Sequence, residues 1–391
     1  MSVAAVGVVA GIAVASWTER LPLGTDSAVY RAGAVQVLNG LPLYGPHDAT
    51  HLPFVYPPLA AIAFLPLAAL PVQFAWCVMG ILSALALGVV VRTTIGHLRP
   101  DWAARERVID GLVLFAVALQ PVWETIAFGQ VNLVIMAFVV IDLLALRGSR
   151  ACGLLTGAAA AIKLTPLLFL VHLVATGRRA DAVRVLATFV LLQLWGAALL
   201  PSDSERYWSS AILAWERPWA SLATNQSLNG MLERVTVAWP YTPYVSLALA
   251  IPCVGAAILL ARQFDRAGQP LPAIVSTAMI GLLISPISWP HHWVWVAPLC
   301  LLLLERVASA EPRSVTRWAA LELIGIIVVF SGAALATVPT GQDREFAWSL
   351  GETLRGNSYL LGTLLIGAAA IWTLRTSYGR LVTNREAGKR P

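Results

Sequence analysis

The sequence predicts an all-α polytopic membrane protein of about 10–12 transmembrane helices, with interfacial helices in its external loops. Three observations carry this. Mean hydropathy is +0.72, with 58% hydrophobic and only 12% charged residues, far outside the range of soluble domains. Apolar runs recur at Ser2–Trp17, Phe74–Val91, Val131–Leu146, Ala182–Leu200, Val245–Ala261, Trp318–Thr337 and Tyr359–Leu374. A helix needs about 20 such residues to cross a ~30 Å hydrocarbon core. Finally, the runs are continuously apolar rather than alternating, which excludes a closed β-barrel.

Taken in order, the first run lacks a basic n-region and reads as an uncleaved span rather than a signal peptide. The positive-inside rule sets the sidedness of the remaining segments. Nineteen of the 27 Lys and Arg residues fall in 92–107, 147–150, 177–184, 262–266, 305–317 and the tail 375–391, so these belong in the cytoplasm. The longer mixed segments 18–56, 121–130, 201–243, 287–291 and 338–357 belong outside. Two stretches break the alternation. Residues 57–70 form an apolar run of about 21 Å as a helix, too short to span, and read as re-entrant or interfacial. Residues 151–175 have Arg-rich segments on both flanks and carry Lys163 then Thr165-Pro166 in the middle. Proline breaks helices, so two half-length helices meeting inside the membrane fit. No repeat, linker or soluble domain is evident. The chain reads as one membrane domain, 1–391, with external loops 18–56, 201–243 and 338–357.

The +6 net charge is spread over short loops, so it reports topology and not nucleic-acid binding. Cys77, Cys152, Cys253 and Cys300 sit in apolar stretches without metal-ligand spacing and read as small hydrophobes. No P-loop or dinucleotide fingerprint appears, and no metal or cofactor is expected.

Five places carry chemistry. Asp26 begins a predicted interfacial helix, Asp26–Asn39, and is either its cap or a reactive carboxylate. Glu124 and Phe128-Gly129-Gln130-Val131-Asn132 lie in a short loop entering a span. Their amides suit sugar hydroxyls or helix capping. Lys163 is an intramembrane cation, functional by default unless it snorkels to the surface. Ser285-Pro286-Ile287-Ser288-Trp289-Pro290-His291-His292 breaks two apolar helices and offers imidazoles for proton transfer or for a departing phosphate. Asn225-Gln226-Ser227 lies in a loop rich in Trp208, Trp215 and Trp219. All but Lys163 fall on the outer face. One carboxylate with imidazoles, amides and aromatics favours glycosyl chemistry on a lipid-borne donor.

With Val29-Tyr30, Gly33, Leu43-Tyr44 and Phe54-Val55-Tyr56-Pro57-Pro58 added, this ordered set resembles the actinobacterial GT-C glycosyltransferases. More narrowly, it resembles the family holding the mycobacterial polyprenyl-phosphate-mannose-dependent α-1,2-mannosyltransferases and an α-1,3-arabinofuranosyltransferase. The resemblance covers about residues 20–300. It implies a GT-C fold, with Asp26 as general base towards an acceptor hydroxyl. It also implies inversion of a β-linked donor, with His291 or His292 and Lys163 stabilising the leaving phosphate. Tyr30, Tyr56, Glu124, Gln130, Asn132, Lys163, Asn225, Gln226 and Trp289 would bind donor or acceptor. The implied partners are a polyprenyl-phosphate-sugar donor, a phosphatidylinositol mannoside or lipomannan acceptor and the bilayer. The implied location is the plasma membrane, with the site facing the periplasm or exterior. Arabinofuranosyl transfer from a decaprenyl-phosphate donor uses the same parts. A lipid or glycolipid transporter is the alternative of another class, one that needs no base at Asp26.

Overall fold

The computed structural model describes residues 23–44, 52–212, 219–309 and 313–369, together with Gly7 and Gly11. The expected first span at Ser2–Trp17 and the basic tail 375–391 lie outside the described residues. Within them the regular structure is helical and there is no strand.

Helix α1 (Thr25–Leu38) is followed by two short helices, α2 (Pro58–Ala63) and α3 (Leu65–Ala68). Each is well under the length of a span, as 57–70 predicted, and Pro57 and Leu70-Pro71 bound them. Helix α4 (Val72–Leu98) then runs 27 residues, and 56% of its apolar window is buried, so it stands at the centre of the bundle. Helices α5 (Glu106–Val117) and α6 (Gln120–Phe128) meet at an 84° bend, with Pro121 opening the second. Glu124 therefore sits on a helix and not in the loop the charge pattern placed at 121–130. The apolar stretch simply bends before it ends.

Helix α7 (Asn132–Val140) runs on through a π-helical turn to Ala145. Helices α8 (Leu154–Ile162) and α9 (Leu168–Ala175) are the two half-length pieces predicted around Lys163. Lys163 is extended at φ −145°, ψ 125°, and a 3₁₀ turn over Thr165–Leu167 restarts the helix. Helix α10 (Arg179–Leu199) is only 17% buried over its apolar window, so its Leu191, Leu194 and Trp195 face lipid. Helix α11 (Leu228–Val235) leads to α12 (Thr242–Arg266), α13 (Pro270–Ile284), α14 (Val296–Ala308), α15 (Arg313–Val329) and α16 (Leu350–Gly356). The last described helix is α17 (Ser358–Ala369).

By length and composition α4, α10 and α12 can each cross a bilayer, and the bent α5–α6 pair is either a broken fourth span or a re-entrant loop. Asn132–Ala145, Thr165–Ala175, Pro270–Ile284 and Ser358–Ala369 are apolar but shorter. Several apolar helices are kept short by breaks that the sequence marks. Pro166 and the Ser285–Pro290 break supply two of the interruptions.

The main core joins α4, α5, α6, α7, α13, α14 and α17 through side chains such as Leu87, Ile126, Met136, Ile274, Trp293 and Tyr359. A second cluster packs Tyr30, Phe54, Tyr56, Phe64 and Tyr207 under α1. Two carboxylates staple the basic segments 147–150 and 177–184 to the helices beside them. Asp142 accepts from the Gly153 and Thr156 amides at 2.9 Å each, satisfying the start of α8. Asp181 bridges Arg178 and Arg184 beside it.

Asp142→Ala strands two buried amides and is expected to cost about 1–3 kcal/mol in denaturant or thermal unfolding, with Asp142→Asn recovering part of it. For sidedness, Cys152 and Cys300 are buried, so replacing Cys77 and Cys253 clears the background. A cysteine at Leu41 should then react with an impermeant maleimide in intact cells, and one at Arg105 should not. Labelling at 105 would reverse the assignment.

Candidate active site

Helix α1 is set by close backbone contact with α6. Gly24 turns the chain at φ 71°, ψ 19°, and its amide donates to Ala127 O at 2.8 Å. A Cβ on Gly24 would meet Trp76 Cβ at 3.0 Å, and one on Gly33 would enter the Phe54 ring at 2.7 Å. Asp26 falls in the first turn, where the helix dipole favours an anion. Its carboxylate makes no capping bond, because Gly24 holds the cap position. It accepts instead from Gln130 Nε2 at 2.9 Å. Of the two readings open in the sequence, capping is the one this geometry does not support.

Gln130 is placed by Gly129, which ends α6 in the left-handed region at φ 65°, ψ 34°. A Cβ there would stand 2.8 Å from Ser27 Cβ. The fully buried Gln130 amide donates to Asp26 and, at 3.1 Å, to Tyr56 OH. Its oxygen accepts from the Val131 amide at 2.9 Å and from Tyr30 OH. Because a backbone N–H must meet the oxygen, the amide nitrogen is forced towards Asp26. Tyr30 OH also lies 3.1 Å from Tyr56 OH, and its ring stacks on Phe64 at 4.2 Å.

Two residues on, Asn132 organises the cationic side. Its oxygen accepts from Lys163 Nζ at 2.7 Å and its nitrogen donates to His291 O at 2.8 Å. Thr125 Oγ1 donates to the same carbonyl at 2.8 Å. Lys163 Nζ lies 3.4 Å from His292 Nε2 and 5.8 Å from the centre of the Tyr56 ring. His291 is used through its backbone. Its ring packs edge-on to Phe128 at 5.3 Å and to His292 at 4.8 Å, and its Nδ1 has no hydrogen-bond partner. The second Glu124 oxygen is likewise buried and unpartnered.

These groups line one cavity of about 770 Å³, within the size range of small-molecule sites. Asp26, Tyr56, Glu124, Gln130, Asn132, Lys163, Trp289, His291 and His292 all reach it. Leu168, Phe169, Leu282, Val294 and Trp295 carry it on as an apolar arm between α9 and α13. Tyr30 is buried beneath and does not line the cavity. Asn225 and Gln226 do not reach it either. Both are fully buried and turn their amides to the backbone: Asn225 to Ala220 O, Pro286 O and Ser288 N, and Gln226 to Ala223 O, Gly356 O and Tyr359 N. They hold loops together, in place of the ligand binding expected of them. Among the described residues no three His, Cys, Asp or Glu side chains converge as a metal site would need.

Sequence reading missed the apolar arm, Thr125, and the part of the wall formed by Leu222 and Thr224 beside Trp219. Nothing in a single sequence marks which Leu or Thr of an apolar stretch turns inward. Only Trp219 stood out.

The arrangement offers a carboxylate that accepts protons, a cation beside an imidazole that suits an anionic leaving group, and a greasy channel that suits an acyl or prenyl chain. Gly129→Ala is expected to lower both melting temperature and turnover, since it strains φ and drives Cβ into Ser27. Normal values for both would show that the α1–α6 contact is dispensable.

The pattern of glycosyltransferase family 87 matches residues 54–286. The chain is 33% identical over 380 residues to a "polyprenol-phosphate-mannose-dependent alpha-(1-2)-phosphatidylinositol mannoside mannosyltransferase" of Mycolicibacterium smegmatis, covering 90% of this chain and 84% of that protein. Its Mycobacterium tuberculosis counterpart of the same description is 31% identical, at 91% and 87% coverage. A phosphatidylinositol pentamannoside mannosyltransferase of M. tuberculosis is 30% identical, at 89% and 82%. Among solved structures, ArnT from Cupriavidus metallidurans bound to undecaprenyl phosphate aligns over 99% of this chain and 81% of its own, at 16% identity and a TM-score of 0.36. That superposition is too loose to carry weight.

Proposed function

The chain belongs to glycosyltransferase family 87, and on that premise we propose that it moves mannose from polyprenyl-phosphate-mannose to a phosphatidylinositol-anchored mannoside, forming an α-1,2 linkage with inversion. The observation that carries this reading is the split of one cavity into a carboxylate held by Gln130 and a Lys163–His292 pair held by Asn132.

In this mechanism the acceptor hydroxyl oxygen attacks the anomeric carbon while Asp26 takes its proton. The bond from the anomeric carbon to the phosphate oxygen breaks, and polyprenyl phosphate leaves with the electron pair. Lys163 meets the growing negative charge, with His292 beside it, in a site screened from water where such stabilisation is strongest. His292 is preferred to His291 because its Nε2 lies beside the ammonium, whereas the His291 ring packs on Phe128. The apolar arm takes the first prenyl units. Tyr56, Glu124 and Trp289 face the sugars. Tyr30, Asn225 and Gln226 act from behind the wall. The whole chain works as one GT-C domain in the plasma membrane, with loops 18–56, 201–243 and 338–357 and the cavity on the outer face.

The direct test is purified protein with radiolabelled polyprenyl-phosphate-mannose and a phosphatidylinositol mannoside acceptor. An arabinose-charged donor is run in parallel. Transfer of arabinose alone, or movement of lipid without transfer, overturns the proposal. Asp26→Asn removes basicity at constant size and is expected to cut turnover at least ~100-fold while donor binding persists. His292→Ala should cost more than His291→Ala.

The pH profile gives a further prediction. Burial pushes the Asp26 carboxyl up to about 7, with the Lys163 ammonium opposing. A base acts only when ionised, so kcat/KM for the acceptor should climb with pH, about tenfold per unit, and level off above about 7. A profile flat between pH 5 and 8 would remove Asp26 from the rate-limiting proton transfer.

A further inference from the structure

We infer that Arg234 and Asn357 are positioning residues that hold the loop wall of the cavity, and with it the acceptor sugar, from two segments that contribute nothing to the cavity itself. This rests on the function proposed above. The wall consists of Trp219, Leu222 and Thr224, and residues 220–227 before α11 are turns and irregular chain. A stretch of that kind has few internal backbone bonds and must be held from outside.

The holding is done by α11 together with segment 339–359. The Arg234 guanidinium, almost fully buried, donates to Leu222 O at 2.6 Å, Asn225 O at 2.9 Å and Asn357 Oδ1 at 2.5 Å. The Trp348 ring lies 5.5 Å away on its face. Trp348 is seated over Gly356, where a Cβ would come within 2.3 Å of the ring. From a second side the Glu345 carboxylate accepts from the Ala223 amide at 3.2 Å, and from Gly341 N and Thr340 Oγ1 of its own loop. Gln226 closes the clamp with bonds to Gly356 O and Tyr359 N. Asn225 passes it on, accepting from Ser288 N at 3.0 Å, one residue before Trp289.

Each cavity residue of the stretch is therefore next to an anchored one. Leu222 carries the carbonyl that Arg234 grips, and Thr224 lies between Ala223 and Asn225. The wall brings an indole face and a hydroxyl, groups that suit a sugar. The arm between α9 and α13 is apolar and suits the prenyl chain. The donor also carries a sugar, but it is held by its prenyl chain in the arm and its phosphate at Lys163 as well. Loosening the clamp therefore acts more on the acceptor than on the donor.

Steady-state kinetics of the purified full-length protein separate the two. Asn357→Leu removes one acceptor of the guanidinium and is expected to raise the acceptor KM about tenfold, the scale of one hydrogen bond to a charged group. The donor KM should stay within about twofold on the same scale. Asn357→Asp keeps the accepting oxygen and should restore the acceptor KM. If Asn357→Leu does not fold, Trp348→Leu removes the ring beside the guanidinium and is judged by the same measurements. An unchanged acceptor KM in a folded variant, or equal rises in both KM values, overturns the inference. No mannosyl transfer by the unaltered protein would instead overturn the function on which it rests.

Discussion

One amide holds the reactive geometry. Gln130 has two donors and an oxygen with two lone pairs, and all four positions are engaged, by Asp26, Tyr56, Tyr30 and the Val131 backbone. A buried amide left half satisfied costs about 1–3 kcal/mol, so this network has one arrangement in which every member is content. It joins α1, the approach to α2 and the start of α7, segments far apart in the chain. It also explains why glycines stand at 24 and 129. Both let backbone come close enough for a side chain of glutamine length to reach Asp26.

The charges of the cavity are kept apart. The ion pairs among the described residues lie elsewhere: Arg92–Glu106, Arg99–Asp101, Arg147–Asp265 and the Asp181 bridge. In the cavity Asp26 is held by the neutral amide of Gln130 and Lys163 by that of Asn132. A direct pair would satisfy both groups with each other and leave neither for a ligand. Amides orient a charge without neutralising it, and in a medium of low dielectric the field that remains is large. The two amides stand two residues apart across the turn into α7, so a single local motif sets both.

What could be read from the sequence depends on what each signal measures. Apolar run length reports on burial in lipid, and it revealed the short 57–70 stretch and the broken helix at Lys163, where the run was too short or interrupted by proline. It could not show that α5 and α6 are one run folded through 84°, because a bend changes direction without changing composition. That is why Glu124 was placed in a loop. Polar residues in apolar surroundings stood out at Asp26, Gln130, Asn132, Lys163 and His292, and the structure gathers them. The same rule overreached at Asn225 and Gln226. A buried amide serving backbone and an amide serving a ligand have the same one-letter code, and only the partners of their nitrogens tell them apart. The apolar arm was invisible for the opposite reason: its leucines resemble all the others.

The break in the polypeptide at Lys163 has one more effect. Helix α8 stops at Ile162, so its last carbonyls, with the fractional negative charge of a helix C-terminus, end at the residue that carries the ammonium group. A cation at such a terminus gains about 0.3–1 kcal/mol before anything is bound. That gain is small, but it is fixed in the backbone and adds to the hydrogen bond from Lys163 to Asn132. The interrupted helix thus lends a small negative potential to the place where the chain carries its buried cation.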